Sequence, residues 1–135
     1  MKKIYAILLT LAFAGCSPEK IQEKAEDLVI QAMTTGEWTV TSYTKGNTDV
    51  TADFSPYKFR FKTNNTVDAV NGVNVEQTGS WNADGTARTI TSSFASGMTL
   101  TLLNGTWNIT STTWTSVNAT QSVNGETRTL KLNKL

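Results

Sequence analysis

Histidine does not occur among the 135 residues, cysteine occurs once and proline twice. Without histidine there is no Ser-His-Asp or Cys-His catalysis, no imidazole metal ligand and no side-chain switch titrating near neutral pH. The single cysteine, Cys16, excludes an intramolecular disulfide. Long apolar runs are missing as well. Ile4 to Phe13 is apolar over ten residues apart from Thr10, about half the roughly 20 residues a bilayer-spanning helix needs. Neither sign of charge dominates: after residue 15, ten basic residues face eleven acidic ones. That balance implies neither nucleic acid nor an anionic surface as a partner. Threonine, in contrast, is abundant at 24 residues, and a threonine-rich, proline-poor chain suits β-strands.

The first sixteen residues read as an address. Lys2 and Lys3 form a positive start, Ile4 to Phe13 an apolar segment, and Ala14-Gly15 supply small residues immediately before Cys16. This is the layout of a secretory signal peptide, so residues 1–15 are expected to be cleaved. Ending on Cys16, it resembles the lipobox of bacterial lipoproteins, with Phe13 where leucine is usual. The resemblance implies that Cys16 is the lipidation site, carrying a diacylglyceryl thioether and an amide-linked, palmitate-type acyl chain. It places the protein at the bacterial cell envelope as a lipid-anchored membrane protein. Ser17 after the cysteine, with no aspartate, resembles outer-membrane sorting and leaves the periplasmic and surface faces both open.

Residues 16–35 follow as a lipidated, charged segment. Ser17-Pro18-Glu19 has the form of a helix start, and Ile21, Ala25, Leu28, Val29 and Ala32 recur at helical spacing. The segment is either a helix docked on the next domain or a charged tether. From Gly36 onward the period changes to two. In Tyr57-Lys58-Phe59-Arg60-Phe61-Lys62 aromatics alternate with cations, the pattern of a sheet with one buried and one wet face. Turns are expected at Asn64-Asn65, Asn71-Gly72, Ala83-Asp84-Gly85, Asn104-Gly105 and Asn124-Gly125. Met98, Leu100 and Leu102 alternate with threonines and read as strand.

Eight short antiparallel strands with meander connectivity need closure or a second layer to protect their edges. The reading for residues 36–135 is therefore all-β, an eight-stranded up-and-down barrel, with a β-sandwich as the other solution. Gly36-Glu37-Trp38 opens the first strand, and Gly79-Ser80-Trp81 and Gly105-Thr106-Trp107 repeat the spacing. A first strand opening on Gly-x-Trp resembles the lipocalins, and Leu102 to Ile109 resembles small bacterial lipocalin-like lipoproteins. The resemblance implies a barrel with Trp38 across its closed end and a hydrophobic ligand within. It also implies an arginine over that tryptophan. Arg128 is the candidate, against the plainer reading of a solvated strand residue.

No catalytic constellation accompanies the fold. The domain's acids, Glu37, Asp49, Asp53, Asp68, Glu76, Asp84 and Glu126, fall mostly at turns or outward strand positions. Asp49 and Asp53 could form a carboxylate pair, but their loop reads better as the rim or cap of one mouth. The chain is read as a non-enzyme with no metal and no cofactor. The basic face Lys58-Arg60-Lys62 is either solvated or directed at lipid headgroups or an acidic partner.

Two functions fit. One is a barrel binding a small hydrophobic ligand, lined by Trp38, Phe59, Phe61, Trp81, Leu100 and Trp107. The other is a filled barrel acting as a protein-interaction, structural or inhibitor module, its partner an envelope protein. Inward aromatics fill space, so the room left inside decides between the two.

Overall fold

A computed structural model describes residues 28–135. Cys16, the expected signal peptide and the first part of the expected helix lie outside the described residues. Residues 28–34 form a helix, α1, and nine strands follow: β1 (Trp38–Lys45), β2 (Thr48–Asp49), β3 (Tyr57–Phe61), β4 (Thr66–Asn71), β5 (Asn74–Asp84), β6 (Thr89–Ser93), β7 (Gly105–Thr112), β8 (Ser116–Val123) and β9 (Glu126–Lys134). Neighbours in sequence pair antiparallel from β3 to β9, and β9 pairs back onto β1 from Trp38↔Lys134 to Lys45↔Arg128. Eight strands thus close into a barrel, and β2 is a short appendage on β1. The opposite seam is thin, with β1 and β3 meeting at the single pair Trp38↔Phe59.

Alternation builds the wall. In β3, Phe59 and Phe61 are buried while Lys58 and Arg60 face solvent. In β8, Val117, Ala119 and Gln121 are buried and the residues between them are not. Bulges between Val40 and Ser42, Ala69 and Val70, and Ile109 and Ser111 interrupt the register, and bulges of this kind bend and twist a sheet toward closure. The asparagine turns form where expected. Asn65, Gly72, Asn124 and Gly125 all take positive φ, the conformation tight hairpins require.

One expected strand is absent. Leu100–Leu103 is a 3₁₀ helix that crosses the barrel end instead of joining its wall. Three residues per turn bring Leu100 and Leu103 to one side, where both are buried, and leave Met98 almost wholly exposed. Asn104 then makes the contacts a strand neighbour would make. Its Oδ1 accepts from Phe94 N at 2.6 Å and its Nδ2 donates to Phe94 O at 3.0 Å.

Of the two readings for the segment before β1, the described part is docked. Ala32 and Met33 are buried against the barrel, and Trp38 Nε1 donates to Met33 O at 3.0 Å. Gly36 has φ +78° immediately after the helix, the left-handed exit that glycine makes without a Cβ penalty. The glycine of Gly36-Glu37-Trp38 is therefore the residue that turns α1 into β1.

Candidate functional site

The six residues expected to line a ligand cavity all enter the core. Trp38, Phe59, Phe61, Trp81, Leu100 and Trp107 are each at least nine-tenths buried, and they leave little room. The void at the centre of the barrel is about 40 Å³, bordered by Phe59, Phe61 and Trp107 among others. Trp38, Trp81 and Leu100 do not border it. Phe61 and Trp81 meet edge to face at 5.3 Å, as do Phe59 and Phe94 at 6.3 Å, contacts that hold rings in fixed places.

Both ends are stoppered. At the end holding the β8–β9 turn, a second 3₁₀ helix, Thr51–Phe54, sets Phe54 fully buried into the mouth. Phe54 stacks on Tyr43 at 5.3 Å, and Tyr43 meets Trp107 edge to face at 5.7 Å. The Tyr43 hydroxyl donates to Leu102 O at 2.6 Å, tying the wall to the other 3₁₀ helix. Burial raises the Tyr43 pKa, against a smaller opposing effect of Arg128. The loop carrying Asp49 and Asp53 is thus a mouth cover, as its position suggested. Asp49 accepts from the backbone of Thr51 at 2.9 Å, and the Thr51 hydrogen bonds lower its pKa. At the α1 end the stopper is Met33 under Trp38.

The cation over Trp38 is Lys134, not Arg128. Lys134 Nζ lies 5.1 Å from the Trp38 ring and 4.9 Å from that of Trp114. The β1–β9 register explains the correction: Lys134 is the strand partner of Trp38, whereas Arg128 pairs opposite Lys45 at the far end. Arg128 is not a freely solvated residue either, since its Nε bonds Glu126 at 3.1 Å.

The basic face is largely neutralised. Arg60 pairs with Glu37 and Lys62 with Asp68, each at 2.8 Å, which leaves Lys58 without an ion pair among the described residues. Asp68 is buried on the outer face of β4 beneath Lys62 and also accepts from Thr78 Oγ1 at 2.8 Å. The Lys62 contact holds its carboxyl below the usual range, against the opposing effect of burial. Tyr57 donates to Glu76 at 2.6 Å, and this bond raises the tyrosine pKa. Among the described residues no group of three His, Cys, Asp or Glu side chains is placed to hold a metal ion.

A larger open space lies outside the barrel. A groove of about 520 Å³ runs between α1 and the rims of β5, β6 and β7, lined by Leu28, Val29, Ala32, Ala83, Ile109 and Trp114 with Asp84, Gly85, Arg88, Thr89, Thr112 and Thr113. Ala83 and Ile109 share parity with Trp81 and Trp107, so they are inward positions reaching past the filled interior. Because α1 covers only part of this end, their apolar surface forms the floor of the groove. None of the six expected lining residues contributes to it. Ile109 shares the parity of Trp107, but the groove exists only where α1 meets strands more than fifty residues away.

No family model and no curated protein matches the chain. Among solved structures it is similar to the crystal structure of a DUF4847 family protein from Bacteroides vulgatus, with a TM-score of 0.54 over 78% of this chain and 96% of that one. At 15% identity the likeness concerns the fold. It agrees with the lipocalin-like barrel expected from the first-strand Gly-x-Trp.

Proposed function

We propose that the protein is a lipid-anchored envelope protein whose barrel works as a filled, rigid module presenting its outer surfaces to an envelope partner. In this reading it is not a carrier and has no catalytic activity. The observation that carries it is the interior void of about 40 Å³, against the roughly 300–1,000 Å³ of sites that enclose a small molecule. Stoppers at both ends support it, since Phe54 and Met33 are buried where an entering ligand would have to pass. Anchoring rests on Cys16 and the apolar segment before it, and the docked α1 would hold the barrel close to its lipid.

Two measurements test the two halves. Cells fed an alkyne-tagged fatty acid should label the wild-type chain and not Cys16→Ser, and the variant should leave the washed membrane fraction. A labelled variant, or a wild-type chain without label, overturns the anchor. For the interior, methyl NMR of the Cys16→Ser chain titrated with decanoate should leave the Val67, Val117 and Leu132 resonances in place. Saturable shifts of those interior methyls would restore the carrier reading.

A further inference from the structure

We infer that the groove between α1 and the β5–β7 rim is a lipid-docking site, and that its occupant is an acyl chain of the membrane leaflet holding the anchor. The inference rests on the anchored reading for the identity of the membrane but on the groove's own geometry for the binding. Its volume of about 520 Å³ falls in the range of sites that bury a small ligand. The floor and walls are aliphatic or aromatic at Val29, Ala32, Ala83, Ile109 and Trp114, which suits a hydrocarbon chain.

The rim suits the bilayer surface. Trp114 is half exposed and Leu28 more than half, and a tryptophan at the tip of a turn is the side chain that settles at the headgroup level. Arg88 stands at the edge with no ion pair among the described residues and can meet an anionic phosphate. The Asp84 carboxylate shares that edge, but its Oδ1 already accepts from Thr86 N and Ala87 N at 3.0 Å, which ties it down into the turn.

The path of the chain selects this occupant. Leu28 belongs to the groove wall, and Cys16 is twelve residues upstream. Even fully extended, those residues reach only about 40 Å, and a helix would span about 18 Å. The barrel end carrying the groove is therefore the end an anchored Cys16 keeps near the bilayer. The opposite end, stoppered by Phe54, lies across the barrel from it.

The test uses the Cys16→Ser chain, so its own lipid plays no part, with vesicles of phosphatidylglycerol and phosphatidylethanolamine whose acyl chains are brominated to quench nearby tryptophan. Lipid is titrated into the millimolar range, where weak surface binding becomes visible. The expected result is saturable quenching that Trp114→Phe abolishes while sedimentation with the vesicles persists. The other three tryptophans are buried in the barrel. Leu28→Asp should weaken binding about tenfold, and Arg88→Ala should weaken it on these vesicles but not on phosphatidylcholine.

Absence of quenching, or quenching indifferent to Trp114→Phe and Leu28→Asp, overturns the inference. Saturable binding of monomeric decanoate without any response to vesicles overturns the leaflet as the source. The anchored reading fails separately, by absence of label at Cys16.

Discussion

The barrel interior and the floor of the groove under α1 are both built from inward-facing apolar side chains and end in opposite states. Inside, aromatic rings meet across the barrel and leave about 40 Å³. Outside, where the residues facing the same way are Ala83 and Ile109, about 520 Å³ stays open. The difference is one of size at equivalent positions. Moving two residues along β5 from Trp81 gives Ala83, and two along β7 from Trp107 gives Ile109. Large rings close the middle of the barrel, and smaller residues at the rim leave a hollow that a short helix only partly covers. Apolar lining alone does not make a pocket.

The sharpest way to break the contrast is to hollow out the interior. Phe54→Ala removes a fully buried ring stacked on Tyr43 and should cost about 3–5 kcal/mol, read as a large drop in the urea midpoint. The space left beside Tyr43 and Trp107 should stay dry and take up a benzene-sized probe, as apolar cavities do. A loss below about 1 kcal/mol would mean that the mouth cover collapses into the gap and that the interior is less rigid than its ring contacts imply.

A smaller effect is expected at Asp68, where the outer wall is held by charge. Its carboxyl has a lowered pKa through Lys62, with Thr78 helping and burial opposing. A carboxyl depressed on folding contributes stability fully present above its unfolded pKa of about 4, and lost as pH falls through the folded value. Lys62 is half exposed, so solvent screening reduces the contribution. Asp68→Asn should cost about 1–2 kcal/mol at pH 7. Urea midpoints of the two chains should converge toward pH 3, and a constant gap would assign the role of Asp68 to packing.

The barrel was legible in the sequence because most wall strands repeat at period two and most hairpins carry their own turn residues. Phe59 and Phe61 declare their direction within five residues, and Asn124-Gly125 declares its turn within two. What could not be read depends on pairings between distant segments. Phe54 sits in a stretch without any period, and only its stacking on Tyr43 makes it core. Met98, Leu100 and Leu102 alternate like a strand, yet no free wall position exists for them once β6 pairs with β7. Choosing Lys134 over Arg128 for the Trp38 ring required the β1–β9 register. The groove was hidden for the same reason, because α1 and Trp114 meet only through the closed barrel.

The smallest effect on stability should fall at the groove, and there its smallness carries the information. Leu28 is 58% exposed, so Leu28→Ser removes little buried surface, and surface changes of this sort usually stay within about 0.5 kcal/mol. A core-supporting helix residue would behave otherwise, since α1 stoppers one end of the barrel through Met33 and Trp38. If the urea midpoint holds while acyl-chain quenching of Trp114 weakens, the groove is a surface shaped for something other than folding. If Leu28→Ser instead costs 2 kcal/mol or more, its side chain is needed to seat α1. The hollow beside it would then be a by-product of how the helix packs, and the contrast between interior and groove would reduce to a difference in packing quality.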